Sequence, residues 1–140
     1  MMWMQVPFFC GQHAQCLIPG PWALEQAKSN LANHFLLVGL TEQLGEFVAL
    51  LETMLPRYFS GAYELYTNSK LGHLRKTKDK IAPSKETVRI IKESLIYQLE
   101  HELYEFAKEQ FNFLKQRALK IDENERAIIM KPLFKYEKIV

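Results

Sequence analysis

The sequence predicts an α/β chain that is largely helical, with one buried strand near residues 34–40. Apolar residues recur at helical spacing from Trp22 to Ala32, after an extended or irregular initial segment that ends at residues 19–21. The next run, Phe35-Leu36-Leu37-Val38-Gly39-Leu40, is apolar throughout and bounded by polar residues, which is the form of a buried parallel strand. A helix, a buried strand and a second helix in succession are typical of an α/β fold.

The second helix is predicted directly after the strand. Thr41 is its candidate N-cap, and apolar positions continue at helical spacing over residues 47–55 until Pro56 ends the helix. Because one strand cannot form a sheet, its partners must lie outside this sequence. We therefore expect the chain to be a piece of a larger protein.

The C-terminal half is predicted to be mostly one long helical pattern. Ser84 is its candidate N-cap, and apolar residues recur on one side as far as about Lys120. A bend near Ser94 is expected, because few helices of globular proteins are that long. A surface turn over residues 121–126 and an extended segment over 128–140 follow.

Composition limits the classes of function. The chain has 140 residues, of which 48% are hydrophobic, so it can bury one modest core. Lys and Arg number 18 against 16 Asp and Glu, so a general nucleic-acid binder is not expected. No apolar stretch approaches the roughly 18 residues of a membrane span, and the first residues lack the features of a signal peptide. We expect this chain not to carry its own means of entering a secretory compartment.

A polar, basic segment from Tyr66 to Lys80 is the candidate ligand-binding feature. It contains hydroxyl groups, Gly72, one acid and five cations: Lys70, Arg75, Lys76, Lys78 and Lys80. Cations, hydroxyls and backbone amides on one segment suit a phosphate or sulfate ligand. The alternative is a solvated basic linker.

The two cysteines, Cys10 and Cys16, allow three interpretations. A disulfide is easily formed over so short a loop, and Gly11 favours the turn. A zinc site would add His13 but lacks a clear fourth ligand, so no metal is expected. Two free thiols in a reducing compartment are the third interpretation.

Eight segments in order resemble the C-terminal part of the heparan sulfate 2-O-sulfotransferase family, and more loosely the related uronyl 2-O-sulfotransferases. They are Pro7-Phe8-Phe9-Cys10-Gly11 with Cys16, Trp22-Ala23 with Gln26-Ala27-Lys28, Phe35-Leu36-Leu37-Val38-Gly39-Leu40-Thr41-Glu42, Leu55-Pro56-Arg57-Tyr58-Phe59, Gly61-Ala62 with Glu64-Leu65-Tyr66, His73-Leu74-Arg75-Lys76-Thr77, Tyr104-Glu105-Phe106-Ala107 with Glu109-Gln110-Phe111, and Tyr136-Glu137-Lys138-Ile139. The segment beginning at His73 favours the heparan enzyme over the uronyl one.

The resemblance implies a sulfotransferase that moves a sulfuryl group from 3′-phosphoadenosine 5′-phosphosulfate to the 2-hydroxyl of a hexuronic acid in heparan sulfate. It further implies a P-loop-like α/β fold and a homotrimeric glycoprotein of the Golgi membrane that faces the lumen. The family's cysteines pair, which favours a Cys10–Cys16 disulfide. No metal is implied.

Roles of individual residues also follow from the resemblance. The nucleotide is expected to contact the loop Tyr66, Thr67, Asn68, Ser69, Lys70, Leu71 and Gly72, together with Lys80. The sulfated sugar chain is expected to contact Arg75 and Lys138. Asn68 and Leu71 depart from the family's more basic residues, so contacts there are expected to be mostly through the backbone.

Residues 1–140 are expected to form the C-terminal part of a single sulfotransferase domain whose N-terminal half is absent. That half would hold the membrane anchor, the strand-loop-helix segment that binds the 5′-phosphosulfate, and the catalytic histidine, so no catalytic residue is assigned here. The chain alone is expected to be inactive. The alternatives are a non-catalytic module that binds sulfated polysaccharide and a uronyl 2-O-sulfotransferase acting on dermatan or chondroitin.

Overall fold

The computed structural model describes residues 3–69, 77–124 and 127–129, and this part of the chain is mostly helical with one small sheet. The chain divides into two compact units, Met1–Val38 with Thr77–Glu109 and Gly39–Lys76 with Gln110–Val140. The elements are α1 (Gln5–Cys10), α2 (Pro21–His34), α3 (Leu44–Met54), α4 (Pro56–Phe59), α5 (Ala62–Asn68), α6 (Lys85–Glu93), α7 (Leu95–Ala118), β1 (Leu119–Ile121) and β2 (Ala127–Ile129).

The core of the first unit is formed by α1, α2 and the first part of α7. Pro21 occupies the first turn of α2, where a missing amide hydrogen costs nothing. The buried side chains of this core are Val6, Cys10, Cys16, Ala23, Leu24, Ala27, Leu31, Leu99, Leu103 and Ala107. The predicted apolar sides are therefore confirmed at Ala23, Ala27 and Leu31 of α2 and at Leu99, Leu103 and Ala107 of α7, whereas Trp22 is 42% exposed.

The short helix α1 is held by side chains from two other helices. At its beginning, both carboxylate oxygens of Glu100 in α7 accept a hydrogen bond from the Gln5 amide at 3.1 Å. At its end, Asn30 Nδ2 of α2 donates to the Cys10 carbonyl at 2.9 Å. The prediction of an extended or irregular segment is thus wrong for Gln5–Cys10.

The long C-terminal helical pattern is broken in two, as its length predicts. Ser84 caps α6, since its hydroxyl oxygen accepts a hydrogen bond from the Thr87 amide at 3.1 Å. At Ser94 the backbone turns to ψ 140°, and α7 begins at the next residue. Both the cap and the bend are confirmed.

The predicted buried strand near residues 34–40 has no pairing strand among the described residues, as expected if its partners lie outside this sequence. The backbone is extended at both Phe35 and Leu40, but within the described residues the segment joins no sheet. Phe35 and Leu36 are 40% and 41% exposed, and only Leu40, at 5%, is buried. An apolar run becomes a strand only when another strand satisfies its amides and carbonyls, and no such strand lies among the described residues.

The second unit contains α3, α4, α5 and the sheet. β1 and β2 are antiparallel, with Leu119 opposite Ile129 and Ile121 opposite Ala127. The predicted turn lies between them; β2 overlaps the start of the predicted extended segment, whereas β1 begins within the predicted helix. The buried residues of the unit are Leu40, Ala49, Leu50, Thr53, Met54, Phe111, Ala118, Leu119 and Ala127. Thr41 begins a 3-10 turn rather than capping α3, which starts at Leu44.

Candidate functional site

The described part of the predicted nucleotide loop is the end of α5. Tyr66, Thr67 and Asn68 form its last turn, and Ser69 follows with an extended backbone. Lys70, Leu71, Gly72 and Arg75 lie outside the described residues, as does Lys138. The helical conformation of residues 66–68 differs from the loop that their polarity suggested.

Two hydrogen bonds from α3 fix the beginning of α5. Glu52 Oε1 accepts from the Gly61 amide at 2.8 Å, and Glu52 Oε2 accepts from the Tyr63 amide at 3.0 Å. Gly61 has φ +81°, a left-handed conformation that glycine adopts without steric cost. With no side chain of its own to cap the helix, Gly61 leaves this function to the carboxylate of Glu52.

Two further contacts support α5 along its length. The Tyr63 hydroxyl oxygen accepts a hydrogen bond from the Ala127 amide of β2 at 2.8 Å. The Tyr66 ring lies beside Gly45 of α3. A Cβ atom added at Gly45 would lie 3.6 Å from Tyr66 Cε1, an ordinary van der Waals distance. Because Glu52 meets the start of α5 and Gly45 meets its end, α3 and α5 run antiparallel.

The chemistry of residues 66–69 is mixed. Thr67, Asn68 and Ser69 are exposed, and the Asn68 amide is a suitable donor to phosphate. The Thr67 hydroxyl, however, donates to the Glu64 carbonyl at 3.0 Å, so its hydrogen is used inside the helix. The end of a helix also carries partial negative charge. An anion here would need cations from other positions.

Lys80 lies in the first unit, in an exposed segment without regular structure. Asp79, just before it, has φ +58°, a left-handed conformation that aspartate tolerates better than most residues. An exposed ammonium group on such a segment can approach an anion without losing another partner. Lys80 belongs to the first unit, and residues 66–69 belong to the second.

Lys28, which lies in one of the segments resembling the sulfotransferase family, is in contrast already paired. Its Nζ lies 2.6 Å from Glu102 Oε1 and 3.3 Å from Glu25 Oε1. The pKa of Lys28 is raised, mainly because it donates a hydrogen bond to Glu102. Lys28 therefore joins α2 to α7 and is a poor candidate for binding sulfate.

Cys10 and Cys16 form a disulfide, with their Cα atoms 5.7 Å apart. The bond consumes both thiols, so the zinc interpretation with His13 is wrong. His13 Nδ1 instead accepts a hydrogen bond from the Gln15 amide at 3.1 Å. Among the described residues there is no group of three or more His, Cys, Asp or Glu side chains placed to hold a metal ion.

Two of the described histidines, His34 and His101, lie in helices of the first unit. His101 stacks between Tyr97 and Tyr104, with ring centroids 5.5 and 6.2 Å away. His34 ends α2 and is exposed.

No helix in the described parts of the chain combines the length and apolar character that crossing a bilayer requires.

Comparison with known proteins places this geometry in a family context. No protein-family model matches the chain. The chain is 50% identical over 139 residues to heparan sulfate 2-O-sulfotransferase 1 of Xenopus laevis, an alignment that covers 99% of this chain and 39% of the relative. It is 50% identical over 139 residues to heparin sulfate O-sulfotransferase of Drosophila melanogaster, covering 99% of this chain and 38% of the relative.

The corresponding human protein, heparan sulfate 2-O-sulfotransferase 1 of Homo sapiens, is 47% identical over 139 residues, covering 99% of this chain and 39% of the relative. The chain thus resembles sulfotransferases along nearly its whole length, while spanning about two fifths of the relatives it matches. The part it matches is their C-terminal part. The resemblance to the heparan sulfate 2-O-sulfotransferase family is confirmed.

Sequence reasoning missed Glu52 and Tyr63 as supports of the predicted loop. Glu52 precedes the Gly61 amide by nine residues, and Pro56 lies between them. No local spacing rule connects a glutamate to a helix that starts beyond an intervening turn. The one signal available was the glycine before a short helical segment with no capping side chain.

Proposed function

We propose that this chain is the C-terminal part of a glycosaminoglycan sulfotransferase that acts on the 2-hydroxyl of a hexuronic acid in heparan sulfate. The observation that carries the proposal is the 50% identity over 139 residues to one protein named heparan sulfate 2-O-sulfotransferase 1 and to another named heparin sulfate O-sulfotransferase. The P-loop-like sulfotransferase fold and the single domain to which residues 1–140 would contribute belong to the same proposal.

The proposed donor is 3′-phosphoadenosine 5′-phosphosulfate. In the transfer, a bond forms between the sugar hydroxyl oxygen and sulfur while the bond from sulfur to the phosphate oxygen breaks. The hydroxyl proton passes to a general base, and 3′-phosphoadenosine 5′-phosphate leaves. We assign no catalytic residue to this chain, whose proposed role is to bind the donor and the acceptor.

Two groups of residues share that binding role in the proposal. Residues 66–72 and Lys80 contact the nucleotide, where an ammonium group and amide donors form charge-assisted hydrogen bonds with phosphate. Arg75 and Lys138 contact the polysaccharide, since a guanidinium pairs with sulfate or carboxylate in a planar fork and an ammonium pairs as a point charge. Lys80's exposure supports its part in this assignment.

The proposed setting is the lumenal side of the Golgi membrane, in a homotrimeric glycoprotein. The Cys10–Cys16 disulfide supports an oxidising compartment. The trimer, the glycan and the membrane anchor come from the resemblance alone.

A chimera tests the two binding roles separately. It consists of the Xenopus laevis relative with its 139 aligned residues replaced by those of this chain. Lys80→Ala should weaken binding of 3′-phosphoadenosine 5′-phosphate by roughly 1–3 kcal/mol, the range for one charge-assisted hydrogen bond. Arg75→Ala should instead weaken binding of heparan sulfate. Isothermal calorimetry with each ligand measures both effects.

The matched control is Lys92→Ala, which removes an exposed lysine from the last turn of α6. Exposed charges contribute little, so this variant should bind both ligands like the parent chimera. If Lys80→Ala and Arg75→Ala also bind both ligands like the parent, the segment is a solvated linker and the assignment of these residues is wrong.

A further inference from the structure

The helix α5 has little stability of its own. It has seven residues, and none of their side chains is fully buried. A helix this short is not stable in isolation, because few hydrogen bonds offset the cost of ordering its backbone. Its first amides also need acceptors, which Gly61 cannot supply. External contacts must therefore hold it.

We infer that Glu52 is a positioning residue for the described part of the proposed nucleotide site, residues 66–69, an inference that rests on the proposed function. Its carboxylate binds the Gly61 and Tyr63 amides at 2.8 and 3.0 Å. One helical turn separates Tyr63 from Tyr66, the first residue of the loop. Fixing the beginning of so short a helix therefore fixes where its last turn and Ser69 lie.

The sign of the effect separates positioning from simple electrostatics. A carboxylate close to an anion site repels the anion, so removing the charge alone would strengthen nucleotide binding. Loss of positioning has the opposite effect, because a frayed loop must be ordered again when the ligand binds. The two roles of Glu52 thus predict opposite changes in affinity.

The experiment compares Glu52→Ala, Glu52→Gln and Glu64→Gln in the 140-residue chain. Glutamine keeps one acceptor oxygen at position 52, so Glu52→Gln should give a partial effect. Glu64→Gln is the matched control, since it removes the same charge from the first turn of α5. Amide hydrogen exchange is measured at residues 61–69, with the amide of buried Leu50 as the reference for an intact second unit.

We expect Glu52→Ala to speed exchange at residues 61–69 by about 5- to 30-fold, which corresponds to the loss of a helix cap. Exchange at Leu50 should not change, and Glu64→Gln should behave like the parent. When the same substitutions are made in the chimera with the Xenopus laevis relative, the dissociation constant for 3′-phosphoadenosine 5′-phosphate should rise by a similar factor in Glu52→Ala and should not rise in Glu64→Gln.

The outcomes separate this inference from the proposed function. Unchanged exchange at residues 66–69 in Glu52→Ala, or tighter nucleotide binding by that variant, overturns the positioning role. Loss of protection at Leu50 as well also overturns it, because Glu52 would then support the whole unit. If the parent chimera binds no nucleotide, the proposed function of residues 66–69 fails, while the exchange data from the 140-residue chain still decide whether Glu52 positions α5.

Discussion

The Cys10–Cys16 disulfide gives a prediction whose size can be worked out. The two residues are six positions apart, and their side chains are 5% and 0% exposed within the core of the first unit. Opening the bond releases the unfolded chain from a short loop. In the loop-entropy treatment, a ring of this length contributes about 2 kcal/mol to stability.

That loss is large enough to measure by chemical denaturation. With a urea dependence of about 2 kcal/mol per molar, 2 kcal/mol moves the unfolding midpoint by about 1 M. Both tryptophans of the chain, Trp3 and Trp22, belong to the first unit. Trp3 Nε1 also donates a hydrogen bond to the Cys16 carbonyl at 3.1 Å. Tryptophan fluorescence therefore reports on the unit that contains the disulfide.

The assay compares urea midpoints with and without a reductant. The reductant should lower the midpoint of the parent by about 1 M, and it should leave the Cys10→Ala/Cys16→Ala double variant unchanged. The reasoning is refuted if the parent keeps its midpoint after alkylation has shown that both thiols are free.

Three further predictions concern activity and packing. The 140-residue chain alone should transfer no labelled sulfate to desulfated heparan, because we assign it no general base; transfer above the blank would contradict this. Gly39→Ala should lower the free energy of unfolding by about 1–3 kcal/mol, since the new Cβ would lie 2.8 Å from Phe47 Cγ. Urea unfolding monitored by hydrogen exchange measures this change, and an unchanged stability would show that Phe47 moves freely. Glu100→Ala should lower the free energy of unfolding, measured by tryptophan fluorescence in urea, by about 1–3 kcal/mol, because the Gln5 amide loses its carboxylate acceptor. A change within error would mean that water replaces the carboxylate as acceptor.

Elements with local signals were predictable from the sequence. Pro21 begins α2, Ser84 caps α6 and Ser94 separates α6 from α7, as the sequence indicates. In each case the residue that determines the boundary lies at the boundary. The apolar sides of α2 and α7 were predictable for the same reason, because helical periodicity is a property of neighbouring residues.

Elements with distant supports were not predictable. Neither α1 nor the end of α5 was predicted to be helical. In each of these two helices, amides at the N-terminal end donate to a glutamate of another helix. Glu100 is 95 residues from the Gln5 amide, and Glu52 lies beyond α4 from Gly61. The strand near residues 34–40 stays a prediction, since its apolar run has no pairing partner among the described residues.

The candidate site was predictable only as a set of residue types. The charge of the segment from Tyr66 to Lys80 identified it, and the resemblance assigned its ligands. The use of the Thr67 hydroxyl inside α5 and the pairing of Lys28 with Glu102 depend on geometry, which composition does not contain.

Sulfate transfer by the chimera with the Xenopus laevis relative tests the central claim most directly. The chimera is given labelled 3′-phosphoadenosine 5′-phosphosulfate and desulfated heparan, and the product is cut into disaccharides to locate the label. If this chain is the C-terminal part of such an enzyme, label appears on the 2-hydroxyl of hexuronic acid. A folded chimera that binds heparan sulfate but transfers no label would contradict the claim and favour a non-catalytic polysaccharide-binding module.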